Sequence, residues 1–408
     1  MRRWPVMSLV GLAVLIPAAL AAQNPSVGGA RGRGGPGGRG TRIAEGESCP
    51  PGMTEIRPRL CQTPEFTPPS IVDYRPRTTL QVPEHEVPKA KFPAVDYHAH
   101  VGSFLASAAQ LDSLGDYMDA LNLGMMVVAD NISGDRLRSG AALVAASPRM
   151  KDRVRILTGV SFRGVGTPGW ADAAVEQLEA DVANGAVGIG EIGKGFGLST
   201  RKADGSLLRI DDPELDPVWD AAGRLGIPVF VHTAEPEEFF QPIDFNNERW
   251  LELSLFNDRR NGPGTGRPTF EDLMSARDNL FRKHPKTTFV AAHMGWHAND
   301  LGRLGKMFDA MSNVYAELGA VLYDIGRQPR AAHDFFVKYQ DRILFGKDSF
   351  QPEEYPYYWR VLETDDDYFD YYRPYHAFWK LYGIGLPDDV LRKVYYANAQ
   401  RITPKLPR

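Results

Sequence analysis

Residues 94–104 read AVDYHAHVGSF, and this stretch decides how the rest of the chain is interpreted. An apolar run leads into two histidines one residue apart, a pattern typical of a β-strand that ends in polar side chains. A strand alternates its faces and rises about 3.3 Å per residue, so His98 and His100 would point the same way with Cα atoms about 7 Å apart. Two such imidazoles can bind one metal ion, or they are surface or hydrogen-bonded core histidines.

Seven further apolar runs follow this first one, and amphipathic segments separate them. The segment from Trp170 to Gly185 and the segment DPVWDAAGRLG, which stops at Gly226, are predicted helices. Alternating β and α units over residues 92–408 predict an α/β protein, a (β/α)8 TIM-like barrel. A doubly wound open sheet is the alternative, and the absence of a glycine-rich phosphate loop after the first strand disfavours it. The eight runs are residues 93–101, 124–130, 154–162, 186–193, 227–233, 287–293, 313–319 and 342–348.

Metal-competent side chains end five of these runs. Barrel enzymes carry their chemistry at the carboxyl ends of the strands, so these side chains are expected to meet at one face of the barrel. A single histidine or aspartate there would mean little, but six together are hard to explain by core packing. The six are His98, His100, Glu191, His232, His293 and Asp348.

The chain resembles the metal-dependent amidohydrolase superfamily, and within it the amidohydrolase-related (amidohydrolase 2) group, over residues 92–405. The resemblance rests on six motifs, which occur in the order VDYHAH, GEIG, PVFVHT, AAHMG, ILFGKD and YYANAQRI. GEIG followed by PVFVHT is also similar to the TatD-type nucleases of the same superfamily. HMG and ILFGKD fit the amidohydrolase-related pattern better.

The resemblance implies a division of the ligands between two divalent ions. His98, His100 and Asp348 would hold one ion, His232 and His293 the second, and the glutamate of the fourth strand would bridge them. A metal-activated water would attack a carbonyl carbon, and Asp348 would act as general acid and base. With one ion the set is His98, His100, His232 and Asp348, and His293 stabilises the oxyanion. Zinc is the expected metal, with manganese, iron or another divalent ion as alternatives.

The bridging ligand has two candidates on the fourth strand. Glu191 ends the apolar run and is preferred, whereas Lys194 lies past a glycine. Lys194 stays an alternative because some members of the superfamily bridge their metals with a carboxylated lysine. If neither bridges, the site is mononuclear. Lys347 replaces a small hydroxyl residue common in related proteins, but its side chain is expected to alternate away from Asp348.

Substrate contacts are predicted less sharply. Arg163 and Glu317 end the third and seventh strands, and His297 follows the sixth, so each is a candidate substrate-binding residue or an ordinary rim residue. Two long loops, residues 235–268 and 353–379, are the expected specificity loops. Their dense aromatic residues either line a pocket or pin the loops to the barrel, and pinning is favoured.

The N-terminal part is predicted to direct export. Residues 1–22 read as a signal peptide, with a retained membrane anchor as the alternative. Residues 23–48 are rich in glycine and arginine and predict a flexible tether, and residues 49–91 predict an irregular arm. Cys49 and Cys61 are the only two cysteines and are expected to form a disulfide in an oxidising compartment, periplasmic or extracellular.

Three functions compete for this chain. The first is hydrolysis of an amide, ester or lactone bond of a small organic molecule by a metal-activated water. The second is metal-dependent non-oxidative decarboxylation of an aromatic acid, and the third is a non-catalytic binding protein on the same fold. The net charge of -4 favours neither nucleic acid nor a membrane as partner, apart from the N-terminal anchor. A homo-oligomer is left open.

Overall fold

The computed structural model describes residues 40–66, 71–244, 246–403 and 406–407. The predicted signal peptide and the predicted tether up to residue 39 lie outside the described residues. The described residues divide into two compact units, one that ends at Asp73 and one that begins at Tyr74. Within the described ranges, no helix is both long and apolar enough to cross a membrane.

A small antiparallel sheet occupies the described part of the first unit. The predicted disulfide between Cys49 and Cys61 is confirmed, with the two Cα atoms 5.7 Å apart. The sequence did not predict the sheet, because its strands are too short for a recognisable alternation of polar and apolar residues. Its strand order is β1-β3-β2, with β1 (Thr41–Arg42), β2 (Thr54–Arg57) and β3 (Leu60–Gln62).

The second unit contains the predicted barrel strands, all of them parallel to their neighbours. They pair in two sheets, with the orders β11-β10-β9-β8-β7 and β12-β4-β5-β6. The last predicted strand is split into β11 and β12. The bounds are β4 (Ala94–His100), β5 (Leu123–Val128), β6 (Val154–Ile156), β7 (Ile189–Ile192), β8 (Val229–Val231), β9 (Phe289–Ala291), β10 (Val314–Glu317), β11 (Ile343–Leu344) and β12 (Asp348–Ser349).

The two sheets meet at both of their ends. Thr158, just after β6, pairs in parallel with Ile189 of β7. At the other junction β11 and β12 follow one another along the chain, and the Tyr97 N–H of β4 donates to the Phe345 carbonyl between them at 3.0 Å. Eight strand positions therefore follow each other in a ring, and the predicted TIM-like α/β fold is confirmed.

Helices follow the strands in the predicted alternation. Helix α4 (Asp216–Leu225) stops before Gly226, whose φ of 65° is the left-handed conformation that the sequence predicted for a helix stop. Helix α6 begins with a capping box between Thr269 and Asp272. The helices are α1 (Ala108–Leu121), α2 (Gly134–Ala146), α3 (Trp170–Ala183), α4 (Asp216–Leu225), α5 (Trp250–Leu255), α6 (Phe270–Lys283), α7 (Leu301–Ala310), α8 (Leu322–Ile325), α9 (Pro329–Lys338), α10 (Tyr355–Glu363), α11 (Asp388–Arg392) and α12 (Asn398–Ile402).

Two apolar clusters separate the inside of the barrel from its outer layer. Val229 and Val231 of β8 belong to the outer cluster with the helices, whereas Phe230 belongs to the inner one. Burial of each such side chain contributes about 1.5–3 kcal/mol, so the face that each residue presents is strongly determined. His232 lies two residues beyond Phe230, and this alternation directs its side chain into the barrel mouth.

Strand β4 departs from strict alternation. Its pairing with β5 shifts register between Asp96 and Ala99. As a result the rings of both Tyr97 and His98 contact Phe230, with centroids 5.9 and 4.7 Å away. The regular two-residue period that predicted the direction of His98 and His100 therefore does not hold through the whole strand.

Candidate metal centre

The six predicted ligands lie in one cluster at the carboxyl ends of the strands. The buried members are supplied by β4 and by the residues that follow β8 and β9. Two members face outward, because the side chains of His100 and Asp348 are 30% and 31% exposed. The cluster thus opens to solvent on the side of β4 and β12.

Glu191 occupies the middle of the cluster. Its Oε2 lies 3.3 Å from His98 Nε2 and 3.4 Å from His100 Nε2. Its Oε1 forms a hydrogen bond with His232 Nδ1 and lies 3.5 Å from His293 Nε2. Each carboxylate oxygen therefore faces one pair of histidines.

Asp348 completes the pair formed by the two histidines of β4. Its Oδ1 lies 3.5 Å from His100 Nε2 and 3.8 Å from His98 Nε2. His98 Nε2 is buried and makes no hydrogen bond with any described residue. A buried polar atom without a partner is costly unless something else binds it. A cation bound by these three side chains would satisfy this nitrogen, so the donor set fits a metal ion.

In each of the four histidines, the ring nitrogen that points away from Glu191, here called the outer nitrogen, contacts an oxygen atom. An imidazole that donates from one nitrogen to an oxygen acceptor keeps a lone pair on the other, which is the form that binds a metal. The inner nitrogens of all four rings face Glu191. The outer contacts are His98 Nδ1 with Glu317 at 2.9 Å, His100 Nδ1 with Asp130 at 3.2 Å, His232 Nε2 with the Ala234 carbonyl at 3.0 Å and His293 Nδ1 with the Gly319 carbonyl at 2.8 Å.

The charged groups of the cluster shift the pKa values of their neighbours. Burial favours a neutral Glu191, yet the charges of His98 and His232 hold the pKa of Glu191 well below its usual value. Burial would lower the pKa of His100, but hydrogen bonds with Asp130 and Glu191 raise it to about 9. Burial also opposes charge on Asp348, while the charge of His98 keeps its pKa low. A cation entering this cluster would displace protons from the imidazoles, so binding is expected to weaken as the pH falls.

The structure separates the two candidates for the bridging position. The Lys194 side chain is 63% exposed, and its Nζ pairs with Glu235 at 3.1 Å. Glu191 is brought inward by Gly190, whose φ is 130° and at which a Cβ atom would lie 2.5 Å from the Phe230 carbonyl oxygen. Only glycine permits this close approach of β7 to β8. This geometry favours Glu191 over Lys194 as the bridge.

Asp96 lies behind the cluster and connects strand ends. Its Oδ1 accepts from the backbone N–H groups of His98 at 3.0 Å and Lys347 at 3.1 Å, and its Oδ2 accepts from the Tyr355 hydroxyl at 2.5 Å. Burial raises the pKa of Asp96. The Lys347 ammonium pairs with Glu354, away from the cluster, as its position in the strand predicted. Asp96 therefore holds the histidine strand against the strand of Asp348.

Glu317 is not at the rim, where the sequence placed it. It is fully buried, and its Oε2 contacts His98 Nδ1 at 2.9 Å and accepts from the His293 N–H at 3.2 Å. Its other oxygen accepts from the Gly319 N–H. The predicted rim position is wrong, because the last residue of a strand can face the barrel interior as well as its mouth. The substrate-binding role of Glu317 stays a prediction, and its contacts hold the His98 ring and the His293 backbone.

His297 is also buried. Its Nε2 lies 3.1 Å from Arg277 Nη2, and burial together with the Arg277 charge lowers the pKa of His297 to about 2. Arg163 is exposed and makes no hydrogen bond or ion pair with any described residue. The substrate-binding roles of His297 and Arg163 stay predictions. The sequence interpretation missed Asp130, although it follows the apolar run of β5 just as the other polar residues follow theirs.

A left-handed turn presents His293. Residues His293, Met294, Gly295 and Trp296 have φ values of 56°, 54°, 62° and 54°. Arg277 on α6 is buried, and its Nη1 donates to the Gly295 carbonyl at 2.6 Å. The His293 and Trp296 rings stack with centroids 4.4 Å apart. The turn thus aims the His293 ring at Glu191, and α6 secures it.

Three aromatic residues of the last loop fill the core. The side chains of Tyr355, Tyr358 and Trp359 are fully buried, and each ring lies within 6.4 Å of Phe345. This agrees with the favoured interpretation that these residues pin the loop to the barrel. A pocket lined by these three rings is therefore excluded.

The profile of the amidohydrolase family Amidohydro_2 matches residues 95–404. No curated protein matches the chain. Among solved structures, an uncharacterised TIM-barrel protein from Bordetella bronchiseptica is 15% identical with a TM-score of 0.47, covering 76% of this chain and 98% of that one. A 2,6-dihydroxybenzoate decarboxylase from Rhizobium is 16% identical with a TM-score of 0.45, covering 76% and 98%. A dihydroxybenzoic acid decarboxylase from Polaromonas sp. JS666, with bound manganese and 2-nitroresorcinol, is 15% identical with a TM-score of 0.47, covering 76% and 97%.

Proposed function

The chain belongs to the amidohydrolase family Amidohydro_2, and from this membership we propose that it is a two-metal hydrolase of small organic molecules. Members of the family are metal-dependent enzymes, so the chain is an enzyme of the amidohydrolase type. The proposed reaction is cleavage of an amide, ester or lactone bond. Zinc is the proposed metal, with manganese as the first alternative.

The position of Glu191 carries this proposal. Its two oxygens divide the four histidines into the pair His98 and His100 and the pair His232 and His293. A carboxylate with both oxygens directed at separate ligand sets is the arrangement that bridges two cations. A lyase with one ion has no use for such a bridge, because the His98, His100 and Asp348 group is sufficient for one ion.

The residues of the cluster have distinct tasks in hydrolysis. Divalent ions held here would supply an acidified water and polarise the substrate carbonyl. Asp348 is ionised at neutral pH, since the His98 charge keeps its pKa low against the effect of burial, and its side chain is partly open to solvent. It can therefore accept the proton of the attacking water and return it to the leaving group. Glu317 and Asp130 hold the rings of His98 and His100 in place.

Metal content tests the proposal directly. Elemental mass spectrometry on protein purified without chelator is expected to find about two divalent ions per chain, and about one in Glu191→Gln, because the amide lacks the second anionic oxygen. Lys194→Gln is the matched control, since Lys194 lies on the same segment but pairs with Glu235. It should retain two ions.

Other outcomes would redirect the assignment. One ion in both the parent protein and Glu191→Gln would show that Glu191 does not bridge two ions. Decarboxylation of an aromatic acid would then become the preferred function. Product analysis then decides, because released CO2 identifies a lyase and addition of water identifies a hydrolase. No metal in any variant after reconstitution with zinc or manganese would refute a metal-dependent reaction.

Export is part of the proposal. The N-terminal segment has the composition of a signal peptide, and the disulfide between Cys49 and Cys61 is typical of an oxidising compartment, which supports a periplasmic or secreted enzyme. Mass spectrometry of the protein from fractionated cells should find an N-terminus near residue 22 in the periplasm or medium. A full-length chain in the cytosol would contradict export.

A further inference from the structure

The three residues that follow β5 connect the histidine strand β4 with Glu191. On the side of β4, the Ala129 N–H donates to the Ala99 carbonyl at 3.0 Å, and Asp130 Oδ1 contacts His100 Nδ1 at 3.2 Å. On the other side, the Ala129 carbonyl accepts from the Glu191 N–H at 3.1 Å. This short segment therefore links the first histidine pair to the carboxylate that faces both pairs.

Asn131 completes the link to Glu191. Its Nδ2 donates to the Glu191 carbonyl at 2.6 Å. Together with the bond to Ala129, both polar backbone atoms of Glu191 are thus held by the same three residues. A tilt of the Glu191 backbone would redirect its two carboxylate oxygens, and groups that orient a ligand in this way strongly affect metal affinity.

The backbone of Asn131 suits this task. A Cβ atom at Gly159 would lie 2.6 Å from the Asn131 carbonyl oxygen, so glycine after β6 permits Asn131 to approach closely. Asn131 has a φ of 52°. Asparagine adopts this left-handed conformation more readily than most residues, and its amide also donates hydrogen bonds. Glycine would share the first property but not the second.

The two metal positions depend on Glu191 to different degrees. The two histidines of β4 and Asp348 form a group of three potential ligands without Glu191, and their ion is here called the first ion. The group of His232 and His293 has Glu191 as its third member, and its ion is called the second ion. A displaced Glu191 would therefore cost the second ion one of three ligands and leave the first ion with three of its own.

We propose that Asn131 is a positioning residue for the second ion, because its amide fixes the backbone of Glu191 so that one carboxylate oxygen faces His232 and His293. The proposal rests on the two-metal function proposed above and deepens it by naming a residue that controls the second position. Asn131 is exposed, so removal of its side chain leaves no cavity in the core.

Stepwise zinc binding tests the proposal. Titration of the metal-free protein with zinc against a competing chelator measures one dissociation constant for each ion. Asn131→Gly tolerates the left-handed backbone but lacks the amide, so the dissociation constant of the second ion should rise about threefold to tenfold, the effect of one neutral hydrogen bond. The constant of the first ion should stay unchanged.

Asn122→Gly is the matched control. Asn122 also has a positive φ, 58°, and its Nδ2 donates to the Ala90 carbonyl at 2.8 Å. It directly precedes β5, whereas Asn131 lies beyond the other end of that strand. The control variant loses a comparable hydrogen bond and should leave both dissociation constants unchanged.

The outcomes separate this proposal from the proposed function. If the parent protein binds two ions and Asn131→Gly leaves the second constant unchanged, or raises both constants equally, Asn131 does not position Glu191 and the two-metal site still stands. One ion in the parent protein would overturn both proposals, because Glu191 would have no second ion to bind. If Asn131→Gly does not fold, Asn131→Ser makes the same test, since its side chain is one bond shorter and does not reach the Glu191 carbonyl.

Discussion

Replacing Arg277 by methionine should weaken metal binding at a distance, through the turn that carries His293. The Arg277 guanidinium is buried, and its Nη1 donates to the Gly295 carbonyl at 2.6 Å. Nη2 donates to Asp278 at 2.8 Å on the same helix. Methionine retains much of the side-chain volume but donates no hydrogen bond, so the Gly295 carbonyl would be left buried without this partner.

The magnitude follows from the backbone of the turn. Three of its four left-handed residues, His293, Met294 and Trp296, are not glycine. Each such residue costs about 1–2 kcal/mol, so the turn stores about 3–6 kcal/mol of unfavourable conformation. A hydrogen bond from a charged donor contributes about 1.5–3 kcal/mol, which offsets a substantial part of this conformational cost. We expect Arg277→Met to lose about this amount of unfolding free energy.

The metal affinity should fall together with the stability. Loss of a group that orients a ligand typically weakens metal binding about 10–100-fold. Chelator competition measures the affinity, and urea unfolding of the metal-free protein measures the stability. Arg277→Lys should recover part of both losses, because one ammonium can still donate to the Gly295 carbonyl.

Arg282→Met is the matched control. Arg282 lies on the same helix, is 60% exposed and approaches Asp278 only at 3.9 Å. It should change neither quantity appreciably, because an exposed ion pair contributes about 0–1 kcal/mol. Equal losses in both variants, or normal metal affinity in Arg277→Met, would refute the idea that Arg277 secures the turn.

Two further predictions concern buried carboxylates. Glu317→Gln replaces an acceptor of three hydrogen bonds by an amide that cannot accept them all. The zinc affinity, measured by chelator competition, should therefore fall about 10–100-fold. An unchanged affinity would contradict the idea that Glu317 positions the His98 ring. Burial disfavours ionised Glu252, yet His376 and Arg249 lower its pKa from 4.5 to about 2. Its stabilisation, about 3 kcal/mol, is therefore complete above pH 4.5 and lost as the pH falls towards 2. In urea unfolding the stability difference between the parent protein and Glu252→Gln should shrink over this range, and a constant difference would exclude the ion pair as its cause.

The fold was predictable because its signal is local. Each barrel strand is a short apolar run followed by polar residues, and the helices carry their own stop and start signals, such as Gly226 and Thr269. The sheet around the disulfide was not predictable in this way, since its strands span two to four residues. The disulfide between Cys49 and Cys61 ties β3 to the segment before β2.

The left-handed turn after β9 shows a second limit. Of its four residues only Gly295 favours positive φ, so propensity alone predicts an ordinary turn for His293, Met294 and Trp296. The bond from Arg277, on the preceding helix, helps to hold the observed conformation. Such a contact between two elements cannot be predicted from the sequence of either element alone.

The sequence by itself determined which side chains end the strands and therefore which chemistry is available, because chain order and residue type fix these properties. Only the tertiary structure decided which groups each of those side chains contacts. Glu191 and Lys194 are three residues apart, yet one faces four histidines and the other pairs with Glu235. Glu317 likewise lies beneath the predicted ligands and not at the rim. The physical reason is that side-chain direction depends on how closed, staggered strands pack against partners far away in the chain, which no local pattern specifies.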